Sequence, residues 1–173
     1  MALPEGPRLP SLNRTFALFL AIAVLVAHML AIHKTAVGTL APPYEIAHVA
    51  FRIARNFVRT GEFAWSSGTP GWESYPSLSW IALACVAERV YGNVNATVQF
   101  AGACAAVLTV VVLAQFSRGR LAGVIAPLLF VVSGSVAAAA ASGTEATTFA
   151  LFLALAFLAF EERWKWLFAA SLA

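Results

Sequence analysis

Phe16-Ala-Leu-Phe-Leu-Ala-Ile-Ala-Val-Leu-Val-Ala-His28-Met-Leu-Ala-Ile32 is an uninterrupted apolar run, preceded by Arg14 and followed by His33 and Lys34. A helical membrane crossing needs about 17–25 such residues, so this run is long enough for one. Further apolar runs follow at Leu78 to Val90, Val98 to Phe116, Leu121 to Ala141 and Thr147 to Phe160, and another begins at Trp166. Of the 173 residues 61% are hydrophobic and 11% charged, whereas soluble domains carry about 25% charged residues. Disorder is excluded, and a polytopic membrane protein is the class that fits. The formal charge of +3 is an orientation signal rather than a nucleic-acid footprint, so the bilayer and no nucleic acid is the expected partner. Cys85 and Cys104 are too few for a disulfide framework or, alone, a zinc site.

The first run reads as a signal anchor or first span, because the core of a cleaved signal peptide is about 7–15 residues and this one is longer. Thr35 to Ser74 is mixed in composition and is the one substantial aqueous segment. Leu78 to Val90 is short and ends in Glu88 and Arg89, which suits an interfacial or re-entrant helix. If that run does not cross, Arg8, Arg14, Arg118, Arg120, Arg163 and Lys165 share the cytoplasmic side, as the positive-inside rule requires. The expected fold is therefore an all-α polytopic membrane protein with four complete transmembrane helices plus a partial fifth. It divides into a cytoplasmic N-terminus (1–15), a first transmembrane helix (16–34), an outer loop (35–97) with juxtamembrane helices over 46–60 and 78–90, and transmembrane helices with short loops (98–173). The run from Trp166 covers only about 12 Å before Ala173, less than half a bilayer core, which reads as a fragment or a truncated gene. Small residues crowd Ala101 to Ala106 and Ser133 to Ser142 and imply close helix packing, within the chain or against another membrane subunit.

Within the outer loop, Ile46, Val49, Ile53 and Phe57 recur at helical spacing, with Arg52, Arg55, Asn56 and Arg59 between them. This predicts an amphipathic helix lying in the membrane interface. Pro42 and Pro43 mark its start, and Glu45 sits at its entry, where the helix dipole favours an anion. A carboxylate held beside guanidinium groups can deprotonate an acceptor hydroxyl while the arginines bind phosphate. The plainer reading of a basic amphipathic helix is binding to anionic head groups.

The wording of the segment carries a further signal. Glu45-Ile-Ala-His-Val-Ala-Phe-Arg52-Ile-Ala-Arg55-Asn56, then Phe63-Ala-Trp65 and Gly68, then Trp72-Glu73-Ser-Tyr75-Pro-Ser77-Leu-Ser-Trp80, resembles the outer-loop signature of GT-C membrane glycosyltransferases. The bacterial arabinofuranosyltransferase-like group is the most similar, with its Asp-Asp-Ala-Phe-Ile-x-x-Arg-Tyr-Ala-Arg-Asn, Gly-x-Phe-Val-Trp-Asn-x-Gly and Val-Glu-Gly-Tyr-Thr-Ser-x-Leu-Trp. Ala141-Ser142-Gly143-Thr144-Glu145-Ala146-Thr147 is similar to the Ser-Gly-Met-Glu-Thr that opens a family span. The resemblance implies transfer of a sugar from a polyprenyl-phosphate donor at the outer face of a bacterial inner membrane, with the 35–97 loop periplasmic or extracellular. It implies Glu45 as the catalytic carboxylate, with Arg52, Arg55, Asn56, Glu73, Tyr75 and Glu145 binding phosphate or substrate. Glu45 falls on the first residue of the family's acidic pair, and Ile46 stands where the second would be.

A divalent metal is the cofactor such a loop would hold, with Glu45, His48 and Glu73 as its candidate ligands; His48 follows Glu45 by three residues on one helix face. His28, near the end of the first span, is expected to find water or a carbonyl, and Glu145 either caps its helix or lines the outer site. Trp65, Trp72, Tyr75, Trp80 and Tyr91 read as an interfacial aromatic belt on the outer side, and Trp164 and Trp166 as its counterpart. Two functions follow: a GT-C-like transferase or its N-terminal portion, acting on a lipid-linked sugar, and a non-catalytic GT-C-derived subunit of a larger membrane complex.

Overall fold

The computed structural model describes residues 11–35, 45–66, 77–116, 122–164, 166, 170 and 171. Those residues form α-helices and no strand: α1 (Ser11–Thr35), α2 (Glu45–Thr60), α3 (Leu78–Tyr91), α4 (Val94–Leu113), α5 (Ala122–Val132), α6 (Gly134–Ser142) and α7 (Ala146–Glu161). The all-helical expectation holds, and the helices expected over 46–60 and 78–90 are present.

Two helices are apolar and long enough to cross a membrane by themselves, α1 over Thr15–Ile32 and α4 over its 20 residues. α7 has 16 residues, a rise of roughly 24 Å and so short of a 30 Å hydrocarbon core. The run from Leu121 to Ala141, expected as one span, is instead two helices bent by 67°. The described residues thus show fewer than four complete spans. The break falls at Ser133, whose backbone is extended (φ −68°, ψ 111°) ahead of Gly134, and Gly/Ser pairs are a common cause of sharp kinks. Ser133 and Ser135 hydroxyls pair at 2.8 Å across it. A helix end leaves its last carbonyls without partners, and here the Nδ1–H of His28 on α1 donates to the Val131 carbonyl at 3.1 Å.

α4 is the central post. Its first half packs on α3 and α2, and its length packs on α6 and α7. Gly102 permits the close approach to α6 and α7: a Cβ there would meet the Ala140 carbonyl oxygen at 3.1 Å and Thr147 Oγ1 at 3.4 Å. The Thr147 hydroxyl donates to the Gly102 carbonyl at 3.0 Å. The small-residue stretches therefore pack against each other inside the chain. Around this seam Ala21, Leu25, Ala106, Val110, Val131, Ala137 and Ala140 form one buried cluster joining α1, α4, α5 and α6.

A second cluster binds α2 and α3 to the head of α4: Ala47, Ala50, Phe51, Ile53 and Ala54 pack with Trp80, Ile81, Ala84, Ala87, Val94 and Val98. The covered face of α2 is thus centred on alanines and Phe51 rather than on the predicted Ile46, Val49, Ile53, Phe57 stripe. Ile53 lies inside it, Val49 is half-buried and Phe57 is exposed. Close helix contact selects small side chains, which a stripe chosen by hydrophobicity passes over. The α3–α4 corner is made locally. The Ser77 hydroxyl caps α3 by accepting from the Trp80 amide, Gly92 closes it in the left-handed conformation (φ +64°), and Asn93 caps α4 by accepting from the Ala96 amide at 3.2 Å.

Candidate functional site

The α6–α7 turn returns to the α2–α3 layer. Gly143 ends α6 with φ +73°, and a Cβ there would lie 2.9 Å from Phe51 Cζ. Glycine is required twice over, for its conformation and for the ring lying against it. The Trp80 indole N–H donates to the Gly143 carbonyl at 3.2 Å. Trp80 is therefore buried in the packing between α3 and the turn, not in an aromatic belt.

This junction presents Glu145 to a cleft of about 680 Å³ lined by Ser77, Ser79, Trp80, Leu83, Glu145, Thr148, Phe149 and Phe152 among others. Glu145 precedes α7 but makes no side-chain capping bond. Its Oε2 is buried with no hydrogen-bond partner among the described residues, although the start of α7 supplies a favourable dipole. On the facing helix the Ser77 and Ser79 hydroxyls lie 2.9 Å apart. At the helix starts the cleft thus offers a carboxylate acceptor and hydroxyls, and further along the helices it offers Leu83, Phe149 and Phe152. That combination suits an amphiphile with hydroxyls at one end.

The α2 residues singled out from sequence separate into distinct jobs. Asn56 donates from Nδ2 to the carbonyls of Ala64 (2.8 Å) and Trp65 (3.0 Å), pinning the chain that leaves the helix. Gly61, at φ +77°, makes the turn that allows this. The pinned loop sets the Trp65 ring under Arg52, whose guanidinium carbon lies 4.4 Å from the ring centroid. Arg55 pairs with the α3–α4 corner, its Nε 3.7 Å from Glu88 Oε2 and its Nη2 3.5 Å from Asn95 Oδ1. Glu88 Oε2 also accepts from the Val94 amide at 3.3 Å, so one carboxylate ties α2 to the α3–α4 corner. From sequence Glu88 marked only the polar end of the Leu78 to Val90 run, with no site role; the signal for its role was an acid within one turn of a Gly-Asn corner.

Glu73 and Tyr75 lie outside the described residues. Glu45 begins α2, and its side chain lies outside them as well. His48 is exposed on α2. Among the described residues no three His, Cys, Asp or Glu side chains stand together to hold a metal. Cys85 on α3 is half-buried, and burial pushes its thiol above the usual range. No family model, curated protein or solved structure matches the chain.

Proposed function

We propose that the chain is a GT-C-like membrane glycosyltransferase, or the N-terminal portion of one, that transfers a sugar from a polyprenyl-phosphate donor at the outer face of a bacterial cytoplasmic membrane. The observation that supports this reading is the Glu145 cleft, polar along Ser77 and Ser79 and apolar along Leu83, Phe149 and Phe152. A lipid-linked sugar has the same division between polyol and hydrocarbon.

In this reading α1, α4, the bent pair α5–α6 and α7 are the four crossings. The N-terminus is cytoplasmic and the 35–97 loop is outside, on the side of the α6–α7 turn. Glu145 accepts hydrogen bonds from sugar hydroxyls, and the resemblance gives Glu73 and Tyr75 substrate-binding roles as well. Glu45 takes the proton of the acceptor hydroxyl as its oxygen attacks the anomeric carbon, and the polyprenyl phosphate departs with the bonding electron pair. The test is transfer from polyprenyl-phosphate arabinose in membranes carrying the protein. Glu45→Gln is expected to lower the rate by about 10²-fold or more, and Glu145→Gln to weaken donor use. Unchanged transfer in both variants would remove the transferase reading.

A second reading is a non-catalytic GT-C-derived subunit of a larger membrane complex. It is favoured by the engagement of two motif residues in the fold itself: Arg55 with Glu88 and Asn95, and Asn56 with Ala64 and Trp65. Absence of transfer together with stoichiometric co-purification of other membrane subunits is its signature.

A further inference from the structure

The outward side of α2 takes no part in the cleft. Because Ala47, Ala50, Phe51 and Ala54 are buried against α3 and α4, that side of the helix is not free to insert into a bilayer. Its outward residues are His48, Arg52 and Arg59, all exposed, with the Arg55 side chain 41% exposed between them. These positions follow i, i+4, i+7 and i+11, a single stripe along one face about 16 Å long. Among the described residues only Arg55 of the four stands within ion-pair distance of a carboxylate. Phe57, Phe63 and Trp65 are partly exposed, and of these Trp65 adjoins the stripe through Arg52. The Phe57 and Phe63 rings meet tilted at 43° with centroids 4.1 Å apart, and the Trp65 ring carries Arg52.

We infer that this stripe is a docking surface for anionic lipid head groups. Three features select a lipid surface over a soluble polyanion. Arginines and tryptophan together are the residue types that occupy the headgroup level. The adjoining helix α3 exposes Leu83, Val86 and Val90 at i, i+3 and i+7, an apolar stripe of the kind that meets acyl chains. The chain also contains helices fit to cross the same membrane. α2 therefore meets the bilayer by charge, through its polar face, while its apolar face holds the protein together. This inference rests on the geometry of α2 and α3 and is independent of the transferase reading.

The test uses the full chain reconstituted in vesicles, with Cys85 and Cys104 replaced by alanine and an environment-sensitive fluorophore at Thr60→Cys, beside Arg59. Phosphatidylcholine vesicles are compared with vesicles containing increasing phosphatidylglycerol. The expected result is a blue shift with anionic lipid that vanishes near 1 M salt, where screening shortens to about 3 Å. The double variant Arg52→Gln/Arg59→Gln alters only exposed side chains, and it is expected to move the phosphatidylglycerol midpoint upward by at least about fivefold. No shift in the parent protein, or the same midpoint in the variant, overturns the inference. So does an equal shift produced in phosphatidylcholine vesicles by inorganic phosphate or by polyprenyl phosphate at lower mole fraction, which would make the stripe a phosphate or donor site. Sugar transfer is not a readout here, so the two proposals fail separately.

Discussion

Around Gly143 the α2–α3 layer is closed by directional contacts, a glycine in the left-handed conformation against Phe51 and an indole N–H on its carbonyl. Around Gly102 the helix bundle is closed by close backbone approach, with Ala140 and Thr147 fitted to a missing side chain and one hydroxyl bonded across. The layer is rich in caps, loop pins and an ion pair, while the bundle is mostly alanine, valine and leucine. In the proposed topology, with the layer outside and the bundle in the bilayer, the physical reason is the solvent. Beside water an apolar face is driven together without specific geometry, so polar contacts are left to set orientation. Between helices in lipid the hydrophobic term is absent, and packing of small residues with occasional hydrogen bonds must supply the association.

That contrast can be broken most sharply at Gly143. Gly143→Ala places a methyl against Phe51 and forces a side chain into a left-handed backbone, and a loss of about 2–4 kcal/mol is expected from the combined clash and strain. Denaturation in detergent measures it. Phe51→Leu in the same chain is expected to relieve the clash and leave the conformational strain. If Gly143→Ala is neutral, the layer is not locked at this turn.

Next in size is the ion pair. Arg55→Ala leaves the Glu88 carboxylate, whose side chain is only 9% exposed, without its cation and is expected to cost about 1–3 kcal/mol. Adding Glu88→Gln should recover part of that loss, because the amide removes the uncompensated charge and still accepts from Val94. Equal stability of Arg55→Ala and the parent would reduce the pair to a surface contact.

The smallest effect is expected in the bundle. His28→Ala removes the donor to the Val131 carbonyl at the α5–α6 break, and hydrogen bonds between membrane helices are worth about 0.6 kcal/mol, with a maximum near 1.7. Thermal unfolding in lipid nanodiscs gives the number, and a loss above about 3 kcal/mol would show that the bend depends on this one bond. A change confined to α5–α6 amide exchange would instead sharpen its assignment as a local cap.

Composition and periodicity alone determined the helical class, the apolar character of α1 and α4, and the start of α2 after Pro42 and Pro43. They also placed α2 and α3 within a residue of their observed ends, at Glu45–Thr60 and Leu78–Tyr91. These features are local: a run of apolar side chains, or a cap and a glycine at the right spacing, acts through neighbours in the chain. The tertiary structure decided which side of α2 is covered: of the Ile46, Val49, Ile53 and Phe57 stripe that hydrophobicity pointed to, Ile53 is buried and Phe57 exposed, whereas close approach to α3 also chose Ala47, Ala50 and Ala54. It also broke the Leu121 to Ala141 run at Ser133, where the Val131 carbonyl finds His28 on another helix. It moved Trp80 from a belt into the packing against Gly143, and it brought Glu145 into one cleft with Ser77 and Ser79, although α4, α5 and α6 lie between them in the chain. Each of these depends on a partner far away in sequence, and a one-dimensional pattern carries no record of which distant surfaces will meet.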